Sequence, residues 1–498
     1  MSGRPIANLS LAIDYAISAL DSAGYHVTNI VLHIGCALLM FGFVRRTLQR
    51  VAPETCVPIA AISALLWAVH PLNSEVVDHI SARTESLMAF CYLLTLYAAD
   101  RARTASYWTG VSVFACAAGM ACKESMVTAP LMVLLYDRAF YSQSWVSTLR
   151  TRRWLYTGLA ATWIVFVYVN RMSPRGHATT LVADEGLIGP ATPFTYALNQ
   201  ARLVPHYLRL AVWPTDLVLD YGMVRPIRMG GVAPFLVLLI LGVALVLWLN
   251  IVKRRWGFLG AWFLVTLAPA SSVVPVYTAV GAERRMYVPM MALTAAVVLA
   301  VFALMRRSLA ASRTVISATA LAVTVIGILA IATITRNAEY STALTTWSTV
   351  VERWPHGRAH YNRAMALTDR GRRDEAISEL RLAATDYPEA LSVLGVTLIE
   401  SGRADEGIST LQAFIRLRPD HINVVNAHVR IADALFAQEK YAAAIPEYRA
   451  YLGFQPQAVR AWTNFGICLA ATENPREAVA AFRRAVVLQP GQRAARRS

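Results

Sequence analysis

Between residues 70 and 85 the chain reads HPLNSEVVDHISARTE, with two histidines, two glutamates, an aspartate and an arginine. A helix starting at Asn73 or Ser74 lets either residue accept hydrogen bonds from the free N–H groups of its first turn. Glu75 then sits where the helix dipole favours a negative charge. Glu75, His79 and Arg83 follow at i, i+4 and i+8 and share one face. The stretch lies between two apolar segments, hence at a membrane surface. Polar groups at membrane depth are costly and usually line a bundle interior or a wet cavity. A functional cavity wall is therefore one reading, and a solvated loop with helix caps is the other.

Three further stretches carry similar chemistry: Lys123-Glu124, the long segment 171–231, and Glu283-Arg284-Arg285. A loop as long as 171–231 is often functional. Within it, Phe194 to Trp213 reads as an interfacial helix carrying Asn199, Arg202, His206 and Arg209.

The elements that must position these groups follow from composition. Of 498 residues, 56% are hydrophobic and 16% charged, and mean hydropathy is +0.43. That is too apolar for a soluble protein of this size and predicts several membrane spans. The net charge of +16 does not point to nucleic acid, because much of it lies in short clusters between apolar runs. No secretory signal peptide opens the chain. The six cysteines show no metal or redox spacing and read as small packing residues. No metal site is predicted, and the cofactor is unknown from the sequence.

Residues 1–25 read as an amphipathic interfacial segment, with Ile6, Leu9, Ile13, Ile17 and Leu20 at helical spacing. Ten apolar runs follow within 26–335, at about 27–44, 57–69, 84–99, 106–121, 125–137, 154–170, 232–252, 256–272, 288–305 and 314–334. Most approach the ~17–25 residues needed to span. The second and fifth are short enough to be re-entrant or bundle-buried instead. Basic clusters follow every second run: Arg45, Arg46 and Arg50; Arg101 and Arg103; Arg138 to Arg153; Lys253 to Arg255; Arg306 to Arg313. With almost no acid among them, they read as cytoplasmic loops. The alternation holds only if all ten runs span. It puts the N-terminus, the four polar stretches and everything after Ile334 on the extracytoplasmic face. Trp108, Trp154, Trp248 and Trp256 flank the spans as interfacial anchors.

After a linker at 336–356 the composition turns soluble and alanine-rich. Pro388, Pro419, Pro456 and Pro490 end four units, spaced 31, 37 and 34 residues apart. Small residues twelve apart let two helices cross closely in each unit: Ala364/Ala376, Gly395/Gly407, Ala432/Ala444 and Gly466/Ala478. Large residues recur after them at Leu380, Leu411, Tyr448 and Phe482. This predicts a tetratricopeptide solenoid over 357–492, of the kind that binds peptides or stabilises assemblies. A basic tail, 493–498, follows.

HPLNSEVVDHISARTESL, ACKESMVTAPLMVLLYD and GAERRMYVP, followed by such repeats, resemble the transmembrane and tetratricopeptide-repeat-containing proteins of the GT-C class of glycosyltransferases. RPIANLSLAIDY…GYHVTNIVLH resembles that family's segment just after its first helix and first extracytoplasmic loop. The resemblance implies transfer of a sugar from a polyprenyl-phosphate donor to a protein hydroxyl on the lumenal or periplasmic side. Its partners are then a lipid-linked sugar, an acceptor protein or peptide and membrane lipids, and its place is a bacterial inner membrane. Arg83, Lys123, Arg284 and Arg285 become the donor-phosphate candidates, supported by His70, Glu75, His79, Glu85, Glu124, Glu283 and Tyr287. Other readings stay open: Lys123 and Glu124 pairing with each other, Arg284 or Arg285 snorkelling to the interface, Tyr287 as an interfacial anchor, His70 and His79 as helix caps. The family carries its catalytic aspartate in the first outer loop, which the resemblance places upstream of Met1. Asp14 and Asp21 form no acidic pair, and neither reads as the base. The reading is an all-α multi-span membrane bundle with a repeat domain. Its alternatives are a non-enzymatic membrane scaffold and a transporter or polymerase.

Overall fold

The computed structural model describes residues 4–142, 144–172, 192–225, 227, 229–273 and 279–488. Part of the long segment 171–231 and the basic tail lie outside them. The described residues are all-helical, with no strand element among them. The chain divides into two compact units, Met1–Thr349 and Val350–Ser498.

In the first unit the helices are α1 (Pro5–Ser18), α2 (Ser22–Leu48), α3 (Cys56–Ala68), α4 (Ser74–Asp78), α5 (Arg83–Arg101), α6 (Tyr107–Met120), α7 (Ala129–Phe140), α8 (Trp145–Thr151), α9 (Arg153–Arg171), α10 (Pro193–Val212), α11 (Met229–Val252), α12 (Arg254–Ala268), α13 (Pro289–Met305) and α14 (Ala311–Glu339). Each of the ten apolar runs therefore folds as a helix. Only α2, α11 and α14 are long and apolar enough to cross a membrane by themselves. The pair Cys56–Ala68 and Pro71–Asp78, bent by 56°, would be a fourth span. The others are too short, such as α6 at 14 residues, or carry charge inside their ends, as α5 does with Arg83, Glu85, Asp100 and Arg101.

Local chemistry sets several boundaries. The segment read as one interfacial helix ends at Ser18, because Ala19 turns to φ 50° and Asp21 accepts from the Ala23 N–H at 3.0 Å to cap α2. Within residues 336–356, α14 runs to Glu339 and a further helix occupies Ala343–Arg353.

The core is aromatic and tightly packed. Trp67 stacks on His33 at 4.8 Å and meets Tyr287 edge-on at 4.8 Å, which ties α2, α3 and the start of α13 together. Phe43, Tyr136, Phe258 and Trp262 interlock deeper in the bundle.

At one end of the bundle the arginine-rich loops gather around two buried acids. Asp100 pairs with Arg46 at 2.7 Å and accepts from the Tyr136 and Tyr141 hydroxyls. Asp137 takes Arg103 at 2.5 Å, Arg152 at 2.7 Å and the Tyr156 hydroxyl at 2.5 Å. Both carboxylates are about 1% exposed. The clusters that read as almost acid-free are anchored by acids sitting at the ends of apolar runs.

The second unit stacks antiparallel helix pairs: Gly357–Thr368 with Arg373–Ala383, Ala390–Glu400 with Ala404–Leu417, Val424–Ala437 with Tyr441–Phe454, and Val459–Ala471 with Pro475–Leu488. Ala364, Ala376, Ala432 and Ala444 are fully buried at their crossings. Buried Leu411, Phe414, Ile431 and Tyr448 share one hydrophobic core. The turn between the two helices of each pair carries a positive-φ residue, Gly371, Gly402, Glu439 and Glu473; glycine takes that conformation without strain.

Candidate functional site

The opposite end of the bundle collects the described parts of the four polar stretches. Residues 70–85 do not form the one-faced helix that their spacing suggests. His70, not Asn73 or Ser74, caps the first turn by accepting from the Leu72 N–H at 3.2 Å. Asn73 instead donates to the Trp67 carbonyl at 2.7 Å. Helix α4 lasts five residues, and His79 turns extended at φ −92° and ψ 107° before α5 begins at Arg83. The break lets Glu75 and Arg83 reach different partners, which outweighs continuity of the helix.

Glu75, fully buried, accepts from the Arg284 backbone N–H at 2.8 Å and from its guanidinium. Glu75 raises the Arg284 pKa. Arg284 keeps 36% of its side chain exposed, so it neither snorkels freely nor is fully enclosed. Arg83 is wholly buried. It pairs with Asp14 and donates to Asn29 at 2.8 Å and to the Tyr25 carbonyl at 2.7 Å. A guanidinium so enclosed is a strut joining α1, α2 and α5, with its donors directed at protein.

Lys123 pairs with Glu85 rather than with Glu124, and Glu124 pairs with Arg4 at 3.0 Å. Burial lowers the Lys123 pKa, with Glu85 opposing. Arg285 is buried and donates to the Ala279 carbonyl at 2.6 Å, the Val280 carbonyl at 3.2 Å and the Tyr196 hydroxyl at 3.1 Å. Snorkelling is thereby replaced by a wall built with α10. Tyr287 is not an interfacial anchor: it is fully buried, with its hydroxyl 2.7 Å from His33 Nδ1. His79 meets Ser81 at 2.8 Å, and burial lowers its pKa.

Glu283 is strongly perturbed and lies outside the apolar runs. Its Oε1 accepts from the Val218 N–H at 2.5 Å and from the Tyr221 hydroxyl at 3.1 Å. Its Oε2 makes no hydrogen bond among the described residues and lies 3.7 Å from Arg336 of α14. Burial pushes its carboxyl up to about 8, against the pull of Arg336. Helix α10 closes this side: Gln200 donates to the Val280 carbonyl at 2.7 Å, and the Tyr207 hydroxyl accepts from the Ala282 N–H at 2.8 Å.

Glu85, Lys123 and Arg285 then line one narrow crevice with Tyr92, Ser125 and Thr266, with about 10 Å³ of free volume, room for a single water. Two cations from separate loops and a carboxylate in the first turn of α5 converge there, a charge set that suits an anionic group. Sequence reading missed Asp14, Asn29, Arg4 and Arg336, which hold the charged groups in place. Arg336 had a signal, a lone cation at the end of an apolar run.

Fold and site together define a helical bundle, with a polar crevice at one end, joined to a repeat domain. The repeat domain matches the family model described as Tetratricopeptide repeat at residues 336–390 and 429–493. The similar curated proteins are protein O-mannosyl-transferases. One is TMTC4 of Homo sapiens, 29% identical over 153 residues, covering 27% of this chain and 21% of that protein. Another is Tmtc1 of Drosophila melanogaster, 32% identical over 138 residues, covering 27% and 15%. Tmtc2 of Drosophila melanogaster is 27% identical over 233 residues, covering 45% and 24%. The resemblance to transmembrane and tetratricopeptide-repeat-containing proteins stands on these matches. The chain spans about a fifth of the length of the relatives it matches. Among solved structures, MamA from Desulfovibrio magneticus RS-1 aligns with 27% of this chain and 76% of its own at 25% identity and a TM-score of 0.25.

Proposed function

We propose that the first unit is a membrane-embedded glycosyltransferase bundle that moves a mannosyl group from a polyprenyl-phosphate donor to a protein hydroxyl. The observation that carries it is the crevice uniting Lys123, Arg285 and Glu85, in a chain similar to protein O-mannosyl-transferases. In this reading all ten apolar helices sit in a bacterial inner membrane, the short ones sheltered by the long. The crevice end and the repeats face the extracytoplasmic side, and the repeats hold the acceptor protein. The donor phosphate meets Lys123 and Arg285, with the half-exposed Arg284 nearby. The acceptor hydroxyl oxygen bonds to the sugar C1 as the bond to the phosphate oxygen breaks, and polyprenyl phosphate leaves. The hydroxyl proton goes to a base that these residues do not identify.

One observation favours the second reading, a membrane scaffold. Each of the four donor-phosphate candidates already has a protein partner, so a phosphate must compete for it. The double variant Lys123→Met/Glu85→Gln separates the two, since it removes both charges and leaves neither orphaned. A transferase loses roughly 10- to 150-fold in affinity for polyprenyl phosphate, the value of one charge-assisted contact, and loses mannosyl transfer in reconstituted membranes. A parent chain that does not bind polyprenyl phosphate leaves the scaffold.

A further inference from the structure

The basic end of the bundle holds a second cavity, remote from the crevice. Phe43, Leu48, Phe140, Phe258, Leu259 and Leu299 line about 650 Å³ between α2, α7, α11, α12 and α13. That volume falls within the ~300–1,000 Å³ typical of ligand pockets. Its wall is apolar, and its rim carries Lys253, Arg254 and Arg255 in succession. The charges there are unequally matched. Asp100 and Asp137 are engaged by Arg46, Arg103 and Arg152. Among the described residues no carboxylate pairs with Lys253, Arg254 or Arg255, and Arg138 adds a fourth positive charge within electrostatic range of Arg254. Ile251, Val252 and Trp256 beside the rim are 76%, 55% and 44% exposed, an apolar collar with an aromatic residue of the type that anchors at head-group level.

An apolar cavity alone would take any chain. A cationic rim without acids selects a chain with a negative head, and basic pockets between membrane helices are where anionic lipid head groups bind. We propose that this cavity holds an acyl chain of an anionic glycerophospholipid, with the phosphate seated on Lys253, Arg254 and Arg255. The inference rests on the bundle being embedded in a membrane, not on the chemistry of the crevice. Such a lipid fills the gap between α7 and the α11–α12 turn and fixes the two relative to α2.

The test is native mass spectrometry of the full chain in detergent, titrated with phosphatidylglycerol or with phosphatidylcholine. The parent retains phosphatidylglycerol in preference to phosphatidylcholine. Lys253→Gln/Arg254→Gln/Arg255→Gln weakens phosphatidylglycerol retention roughly 100-fold, from the contribution of each basic residue near an anionic surface, and leaves phosphatidylcholine unchanged. Ala139→Trp, a substitution on the half-buried wall, lowers retention with the rim charges intact. Equal retention of the two lipids by the parent overturns the proposal, as does undiminished phosphatidylglycerol retention in both variants. Polyprenyl-phosphate binding on the same samples reports on the crevice separately.

Discussion

Glu75 and Arg284 stand 209 residues apart and meet through two hydrogen bonds, one from the Arg284 backbone N–H at 2.8 Å and one from its guanidinium. The contact clamps α4 to the segment before α13, whose Arg285 borders the crevice. The two halves differ in burial: Glu75 is fully enclosed, while Arg284 keeps 36% of its side chain exposed. Truncation should therefore be asymmetric. Arg284→Ala strands a buried carboxylate and should cost about 3 kcal/mol. Glu75→Ala leaves a guanidinium that water can reach and should cost about 1–2 kcal/mol. Thermal melts of the two variants in one detergent measure the order, and equal losses would contradict the asymmetry.

Arg83 yields a different expectation, because it is enclosed on every side by Asp14, Asn29 and the Tyr25 carbonyl. Arg83→Met should destabilise the bundle by about 3–5 kcal/mol by orphaning Asp14. Adding Asp14→Asn should recover much of that loss, giving a large coupling energy in a double-mutant cycle. Additive losses, or an Arg83→Met chain as stable as the parent, would remove the strut from the account.

These two pairs show where sequence reading stops. The apolar runs locate the helices, because burial or lipid contact demands uninterrupted hydrophobicity over a helix length. The repeat spacing locates the second unit for the same kind of reason, since Gly395 and Gly407 must be small for two helices to cross. Charge pairing is not legible in that way. Nothing local to Arg83 names Asp14, and nothing local to Glu283 names Arg336; both pairs exist because distant helices converge. The spacing of Glu75, His79 and Arg83 misleads outright, as tertiary partners on two sides break the helix at His79. Asp100 and Asp137 escape notice because each looks like the polar end of an apolar run.

Glu283 should make stability depend on pH in an unusual direction. Its folded carboxyl is raised from 4.5 to about 8, so between those values the folded state holds a proton that the unfolded chain releases. The sign follows: stability from this group is present below about pH 4.5 and is lost as pH rises towards 8. Glu283→Gln keeps a neutral group in place and should flatten that decline. The thermal midpoint of the two proteins across this range is the measurement. A parent whose midpoint rises with pH through the window, or a variant with the parent's slope, would contradict the assignment.

In the repeat array the same substitution should have opposite signs at two glycines. A Cβ at Gly407 would lie 2.6 Å from the Gly395 carbonyl oxygen and 2.6 Å from the Ile399 side chain. The carbonyl belongs to helix Ala390–Glu400 and cannot swing aside, so Gly407→Ala must push the two helices apart. Overpacking of this kind costs about 1–3 kcal/mol, more than the ~1 kcal/mol that alanine contributes over glycine inside a helix. Gly453 lies near the end of helix Tyr441–Phe454, exposed and with nothing within 4 Å of a Cβ. There alanine meets no obstacle, and Gly453→Ala should stabilise by about 0.5–1 kcal/mol. Hydrogen exchange of the array's buried helices, compared between the full-length parent and the two variants, reads both effects. Faster exchange in Gly407→Ala and slower exchange in Gly453→Ala is the expected pair. Slower exchange in both would mean that intrinsic helix preference, not the closeness of the crossing, governs the array.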